Sequence, residues 1–263
     1  VLPGFPQNLG HAITLYNQGS VSIKGNYIGV AEDGTTALGN GKDGINATDS
    51  DGLIIGGTAA GEGNIIANNG LDGIGILDGT SNVTIIGNSV YDNGGLGIDI
   101  APNGVNLNDS LDADTGPNGL LNYPSLLVPV EIGGNTEISY RLDVPAGDYR
   151  VEFFSNTSYD PSGHGEGRAF IDSDTVTSLG SGAQLFSTTL TGDTYTNISA
   201  TVTEIDVLSA SGFGSTSEFS GQPFSDGNLS VSKAVVDQDT IITNGTVQYD
   251  VSITNTGNDP IDL

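Results

Sequence analysis

One phrase recurs along this chain and limits what it can fold into. Asp43-Gly44-Ile45 returns as Asp72-Gly73-Ile74 and, more loosely, as Leu96-Gly97-Ile98, with the isoleucines 29 and 24 residues apart. His11-Ala12-Ile13 is a weaker copy, 32 residues before Ile45. A period in this range means stacked units sharing one core, rather than a single closed globule. Apolar pairs two residues apart accompany the phrase: Ile13/Leu15, Val21/Ile23, Leu53/Ile55, Ile74/Ile76, Val83/Ile85 and Ile98/Ile100. A third segment carries Tyr27-Ile28, Ile65-Ile66 or Val90-Tyr91. Period-two alternation reads as short strands, and the Gly, Asn, Asp and Ser clusters between them read as turns. Three strands per turn of about 24 residues describe a right-handed parallel β-helix over 1–119.

An asparagine precedes the third strand of each coil: Asn26, Asn64 and Asn88. Stacked inward, these amides can hydrogen-bond up the helix as a ladder. Equally, asparagine suits the left-handed conformations of turns. From Leu120 the alternating stretches lengthen, at 137–142, 149–154, 183–190 and 195–203. Longer strands at hairpin spacing imply an antiparallel β-sandwich over 120–222. After a linker rich in Ser, Gly and Pro, 228–263 reads as part of a second β-sandwich. Its two strands cannot close a sandwich alone, so more chain or a neighbouring molecule must complete it. The expected fold is all-β throughout.

Composition narrows the partners. Six Lys and Arg against 32 Asp and Glu give a formal charge of -26. Such a surface repels nucleic acid, anionic lipid and uronate-type polysaccharides, and it suits divalent cations. Charged residues are only 14% of the chain, so the apolar patches can still build a core. There is no cysteine, which removes disulfides and zinc thiolate sites and is in keeping with an exported microbial protein. No run approaches the 18 apolar residues of a membrane span. Val1 already reads as mid-repeat, so a piece of a larger protein is expected. Asn-X-Ser/Thr sites such as Asn46 and Asn82 leave glycosylation open.

Several phrases resemble a known family. Gly25-Asn26-Tyr27-Ile28-Gly29, the Asp-Gly-Ile repeats and Ile55-Gly56-Gly57-Thr58 resemble the right-handed parallel β-helix proteins of bacterial and archaeal surfaces, within the pectin-lyase-like superfamily. The run 112–119 is similar to a phrase that closes such helices. Glu152-Phe153-Phe154-Ser155-Asn156, the loop 160–167 and Thr216-Ser217-Glu218-Phe219-Ser220 look like signatures of the sandwich that follows. The tail through Asn255-Thr256-Gly257 is similar to a tandem surface-repeat domain. The resemblance implies the fold more than the function. Enzymes of the superfamily use an Arg or Lys base beside a calcium-bound uronate, or several Asp with His. Only Lys24 and Lys42 fall on the β-helix, His11 and His164 fall in different domains, and no catalytic set is visible.

Two clusters remain. Asp109, Asp112, Asp114 and Asn118 offer alternating oxygen ligands like the front half of an EF-hand loop, and calcium is the cofactor they would take. The same residues read as an Asx-rich loop that only turns the chain out of the helix. Lys233 shares its strand parity with Leu229 and Val231, and Asn255 lies on the apolar face of its strand. A buried lysine must be paired or neutral. An intramolecular isopeptide bond between Lys233 and Asn255 is one solution, and a partly exposed strand-end lysine is the other. The loop 160–167 reads as a turn fixed by its own Asp and Ser. The expected function is non-enzymatic: an extracellular structural or adhesive segment of a cell-surface protein. Its expected partners are other copies of itself or cell-surface glycans, with no nucleic acid. The alternative is a carbohydrate-binding or polysaccharide-degrading module using the long β-helix face.

Overall fold

The computed structural model describes residues 8–225, and the backbone of two further strands at 229–235 and 249–255. Each coil contributes one strand to each of three parallel sheets. The first holds β1 (Ile13–Tyr16), β2 (Ser22–Ile23) and β3 (Tyr27–Ile28). The second holds β4 (Ile45–Thr48), β5 (Ile54–Gly56) and β6 (Ile65–Ala67). The third holds β7 (Ile74–Ile76), β8 (Thr84–Ile86) and β9 (Ser89–Tyr91), and β10 (Ile98–Ile100) starts a fourth. The sheets run β1-β4-β7-β10, β2-β5-β8 and β3-β6-β9.

Register explains the repeat. Ile13, Ile45, Ile74 and Ile98 stack on one another, as do Ile23, Ile55 and Ile85, and Ile28, Ile66 and Val90. These columns are the core, and Ile45, Ile55, Ile66 and Ile74 are fully buried. A slip of one residue would turn every column outward, so the pattern fixes the pairing.

The glycine of the recurrent phrase serves a purpose other than a bend. None of Gly44, Gly73 and Gly97 has a positive φ. A Cβ at Gly44 would lie 2.6 Å from Ile66 Cγ2 and 2.7 Å from the Gly73 carbonyl. At Gly73 it would lie 2.6 Å from the Gly97 carbonyl, and at Gly97 2.9 Å from the Phe219 ring. Only glycine lets successive coils and the sandwich approach this closely. Gly44→Ala is therefore expected to cost about 2 kcal/mol by overpacking. Urea unfolding measures this, and an unchanged midpoint would remove the close-approach argument. The aspartate of the phrase also turns inward to differing degrees: Asp43 is buried and Asp72 half-buried.

After a 3₁₀ turn at Pro117–Leu120 the chain enters the sandwich. One sheet comprises β11 (Ser125–Leu126), β12 (Val130–Ile132), β13 (Asn135–Leu142) and, after β14 (Gly147–Ser155) and β15 (Ala169–Ser178), β16 (Gln184–Leu190). The other runs β15-β14-β17-β18, with β17 (Ile198–Ile205) and β18 (Phe213–Thr216). Ile138, Tyr140, Leu142, Val151 and Phe153 fill the space between them. Phe154 and Phe219 point the other way and belong to the β-helix core. The β-helix and sandwich thus form one compact unit, whose boundary with the second lies between Pro223 and Phe224. The second contains the antiparallel pair β19 (Leu229–Val235) and β20 (Tyr249–Asn255).

Candidate functional site

The best-defined polar chemistry lies along the corners of the β-helix and where the sandwich closes its end. Asn26 donates from its backbone and side-chain nitrogens to Asn64 Oδ1 at 2.9 and 3.0 Å. Asn64 donates in the same way to Asn88 Oδ1 at 3.0 and 2.9 Å, and its Nδ2 also reaches the Ile23 carbonyl at 2.8 Å. A second ladder, absent from the sequence reading, runs through Asn8, Asn40, Asn69 and Asn93, with amide-to-amide distances of 2.9, 2.7 and 2.9 Å. The repeated aspartates make a third column. Asp43 Oδ1 accepts the Asp72 N–H at 3.2 Å, and Asp72 Oδ1 accepts the Leu96 N–H at 2.7 Å.

These columns leave open backbone donors at the last coil, and the sandwich supplies acceptors for them. Glu166 Oε1 takes both the backbone and side-chain N–H of Asn93, at 3.0 and 2.9 Å. Glu152 Oε2 takes the Gly87 N–H at 2.8 Å, and Glu218 Oε1 takes the Ile100 N–H at 2.9 Å. Thr216 Oγ1 takes the Ile85 N–H, and from the turn that precedes the sandwich Asn118 Oδ1 takes the Val83 N–H. An uncovered sheet edge invites strand addition by other chains, and this cap closes it. The capping groups are costly to ionise in place. Burial pushes Glu218 up to about 7 and raises Glu152 and Glu166.

The structure also gathers acids that the sequence left scattered. His11 Nδ1 lies 3.0 Å from Asp43 Oδ2, and that oxygen accepts from Asn46 Nδ2 at 2.8 Å. Burial first, and then the Asp72 charge, push Asp99 up to about 6, and burial raises Asp72 as well. Such a row can share a proton. However, Asp43 and Asp99 are 5% and 4% exposed and are already held by neighbouring groups, which leaves a substrate little to approach. Lys24, a candidate base by residue type, pairs with Glu62 at 3.0 Å.

Of the four residues read as a metal set, the structure brings three together. Asp109, Asp112 and Asp114 can each place one oxygen within 4.8 Å of the others. Burial, with the charges of Asp114, Asp109 and Glu204, pushes Asp112 up to about 6, so a cation would relieve real repulsion. Asp109 already accepts the N–H groups of Ala113 and Asp114, at 3.0 and 3.1 Å. Asn118 is elsewhere: it is fully buried, and its amide is spent on Val83 and Thr216. Three carboxylates of half-buried to exposed character fit calcium by their chemistry, with the remaining ligands left to water or backbone.

In the second unit the register sets Lys233 opposite Val251 and Asn255 opposite Leu229. The two positions share a face but are offset by four residues along the ladder, and their side chains lie outside the described residues. In the loop 160–167, Asp160 Oδ1 accepts the Ser162 N–H at 2.8 Å, and Ser162 Oγ accepts the His164 N–H at 3.1 Å. Among the described residues no helix is long and apolar enough to cross a membrane.

Fold and site together define an all-β protein in which a parallel β-helix is capped by an antiparallel sandwich through buried carboxylates. No protein-family model matches the chain, and no curated protein matches it either.

Proposed function

We propose that the chain is a structural or adhesive segment of a large extracellular microbial surface protein, and that it self-associates. The observation that supports this reading is where its polar groups are spent. The amide ladders and three sandwich glutamates hold coil to coil and helix to cap, as a mechanical scaffold needs. We further infer that the β-helix belongs with the surface proteins of the pectin-lyase-like superfamily; the three-sheet parallel stack supports this. Calcium at Asp109, Asp112 and Asp114 is the cofactor of the reading, steadying the loop that leads from helix to sandwich.

Sedimentation and thermal unfolding of the whole chain, with and without calcium, test both parts. Calcium is expected to raise the unfolding temperature and to promote larger species. Asp112→Asn should weaken the calcium response, because it removes one of the three negative charges while asparagine tolerates the positive φ of 52° and keeps the loop in shape. A chain that stays monomeric at high concentration with calcium counts against self-association. An unfolding temperature indifferent to calcium counts against the metal.

A further inference from the structure

A cleft of about 210 Å³ opens where the corner after β9 meets the sandwich. Buried Asn93 and Glu166 line its base. Tyr91, Asp92 and Arg168 line it from one side, and residues 156–161 from another. The Arg168 guanidinium stacks 3.9 Å from the centre of the Tyr91 ring and is paired with Asp92. The facing loop is held from several directions. Asn156 Nδ2 donates to Ser199 Oγ at 3.0 Å, and its Oδ1 accepts the Arg168 N–H at 3.0 Å. Asn197 Nδ2 reaches the Thr157 carbonyl at 3.2 Å, and the Tyr159 hydroxyl donates to the Thr196 carbonyl at 2.8 Å. Both sides are therefore set before any ligand arrives, which lowers the ordering cost of binding.

The chemistry of the lining selects among ligands. At about 210 Å³ the cleft is below the roughly 300–1,000 Å³ of pockets that take drug-sized ligands, so it suits a single small group. Its groups are hydroxyls, amides and carboxylates with two aromatic rings, which suits neither an apolar ligand nor a lipid tail. The one arginine is already paired with Asp92, while the Asp160 carboxylate remains, so anions are disfavoured. Among the described residues, the cluster able to hold a metal is in the 109–114 loop and not here. What fits is a compact, uncharged, hydroxyl-rich ring with one flatter face.

We propose that this cleft binds one residue of a neutral sugar, presented as the end or a branch of a glycan. The rings of Tyr91 and Tyr159 offer apolar edges, and Asp160, Ser158 and Thr157 offer hydroxyl partners at the rim. The site is distinct from the long β-helix face, where Tyr16 and Tyr27 stand exposed. It does not depend on self-association: a chain that remains monomeric still carries the cleft.

The test uses the whole chain on an array of neutral and uronate-bearing oligosaccharides, followed by calorimetry on any hit. Neutral glycans are expected to bind and uronates to be refused. Ser158→Trp and Thr157→Trp place a bulky side chain at exposed rim positions, away from the ladders. At least one should weaken binding by about tenfold or more while thermal unfolding stays unchanged. No neutral glycan bound at millimolar concentration overturns the proposal. So does equal affinity in both tryptophan variants, or uronates bound as tightly as neutral sugars.

Discussion

Replacing Asn64 by alanine is expected to lower the unfolding free energy by about 3–4 kcal/mol, one of the larger losses a single side chain can cause here. Asn64 is 1% exposed and connects three coils' worth of groups. Without its amide, the Ile23 carbonyl and Asn88 Oδ1 each lose a donor, and the Asn26 N–H loses its acceptor. Water cannot easily replace the lost donor at the buried Ile23 carbonyl and Asn88 Oδ1, so these two groups carry their desolvation cost, while water can reach the Asn26 N–H. Asn26→Ala is the control, because Asn26 is exposed and water can take over; roughly 1 kcal/mol or less is expected there. Urea unfolding of the two variants decides the matter. Equal midpoints would mean that the ladder carries no special weight.

The second large effect is a stability that falls as pH rises from about 4 to about 7. Glu218 has a folded pKa of about 7 against an ordinary 4.5, and Asp99 one of about 6 against 3.8. Between the unfolded and folded values the native chain still binds the proton that the unfolded chain has lost. Stability is therefore drained as pH rises through that window, and the penalty is complete above the folded pKa. At about 1.4 kcal/mol per unit, Glu218 alone accounts for about 3 kcal/mol. His164 works in the opposite sense below its ordinary 6.5, because burial lowers its pKa. Stability should thus peak in mild acid rather than keep rising. General repulsion in a chain of charge -26 also relaxes in acid, so the slope alone is ambiguous. Glu218→Gln separates the two. The variant should show a visibly flatter curve of unfolding temperature against pH, and an unaltered slope would exclude Glu218 as the cause.

Much of the β-helix was legible because its coils differ in length but not in pattern. The isoleucine pairs marked the strands, and Asn26, Asn64 and Asn88 each stood directly before an apolar segment. The second ladder carried an equally readable signal. Asn40, Asn69 and Asn93 each lie three residues before the position held by Asp43, Asp72 and Leu96. They pass for ordinary turn residues unless the coils are aligned at that point. The capping glutamates could not be assigned this way. Their partners are 65 to 118 residues distant, and a pairing at that range leaves no local periodicity. Asn118 shows the converse error: its spacing suits a metal loop, but its amide serves the last coil, because that loop also closes the helix. The glycine of the repeated phrase was visible, but its reason was not, since close approach between coils is a property of the stack rather than of the turn.

The ladders also have a direction. Asn26 and Asn64 pass an amide hydrogen toward the next coil as far as Asn88, which turns back to the Ile55 and Ile86 carbonyls. In the ladder of Asn8, Asn40, Asn69 and Asn93 each asparagine does the same, and Asn93 passes its own to Glu166, a group that when ionised can only accept. The column is a one-way chain of dipoles with a terminator built for one end alone. A coil such as 64–87 could therefore be duplicated and spliced in, because each copy would hand the same donors to whatever lies above it. A coil inserted upside down could not. The length of such a rod is thus free to vary by whole coils, while its polarity and its cap stay fixed.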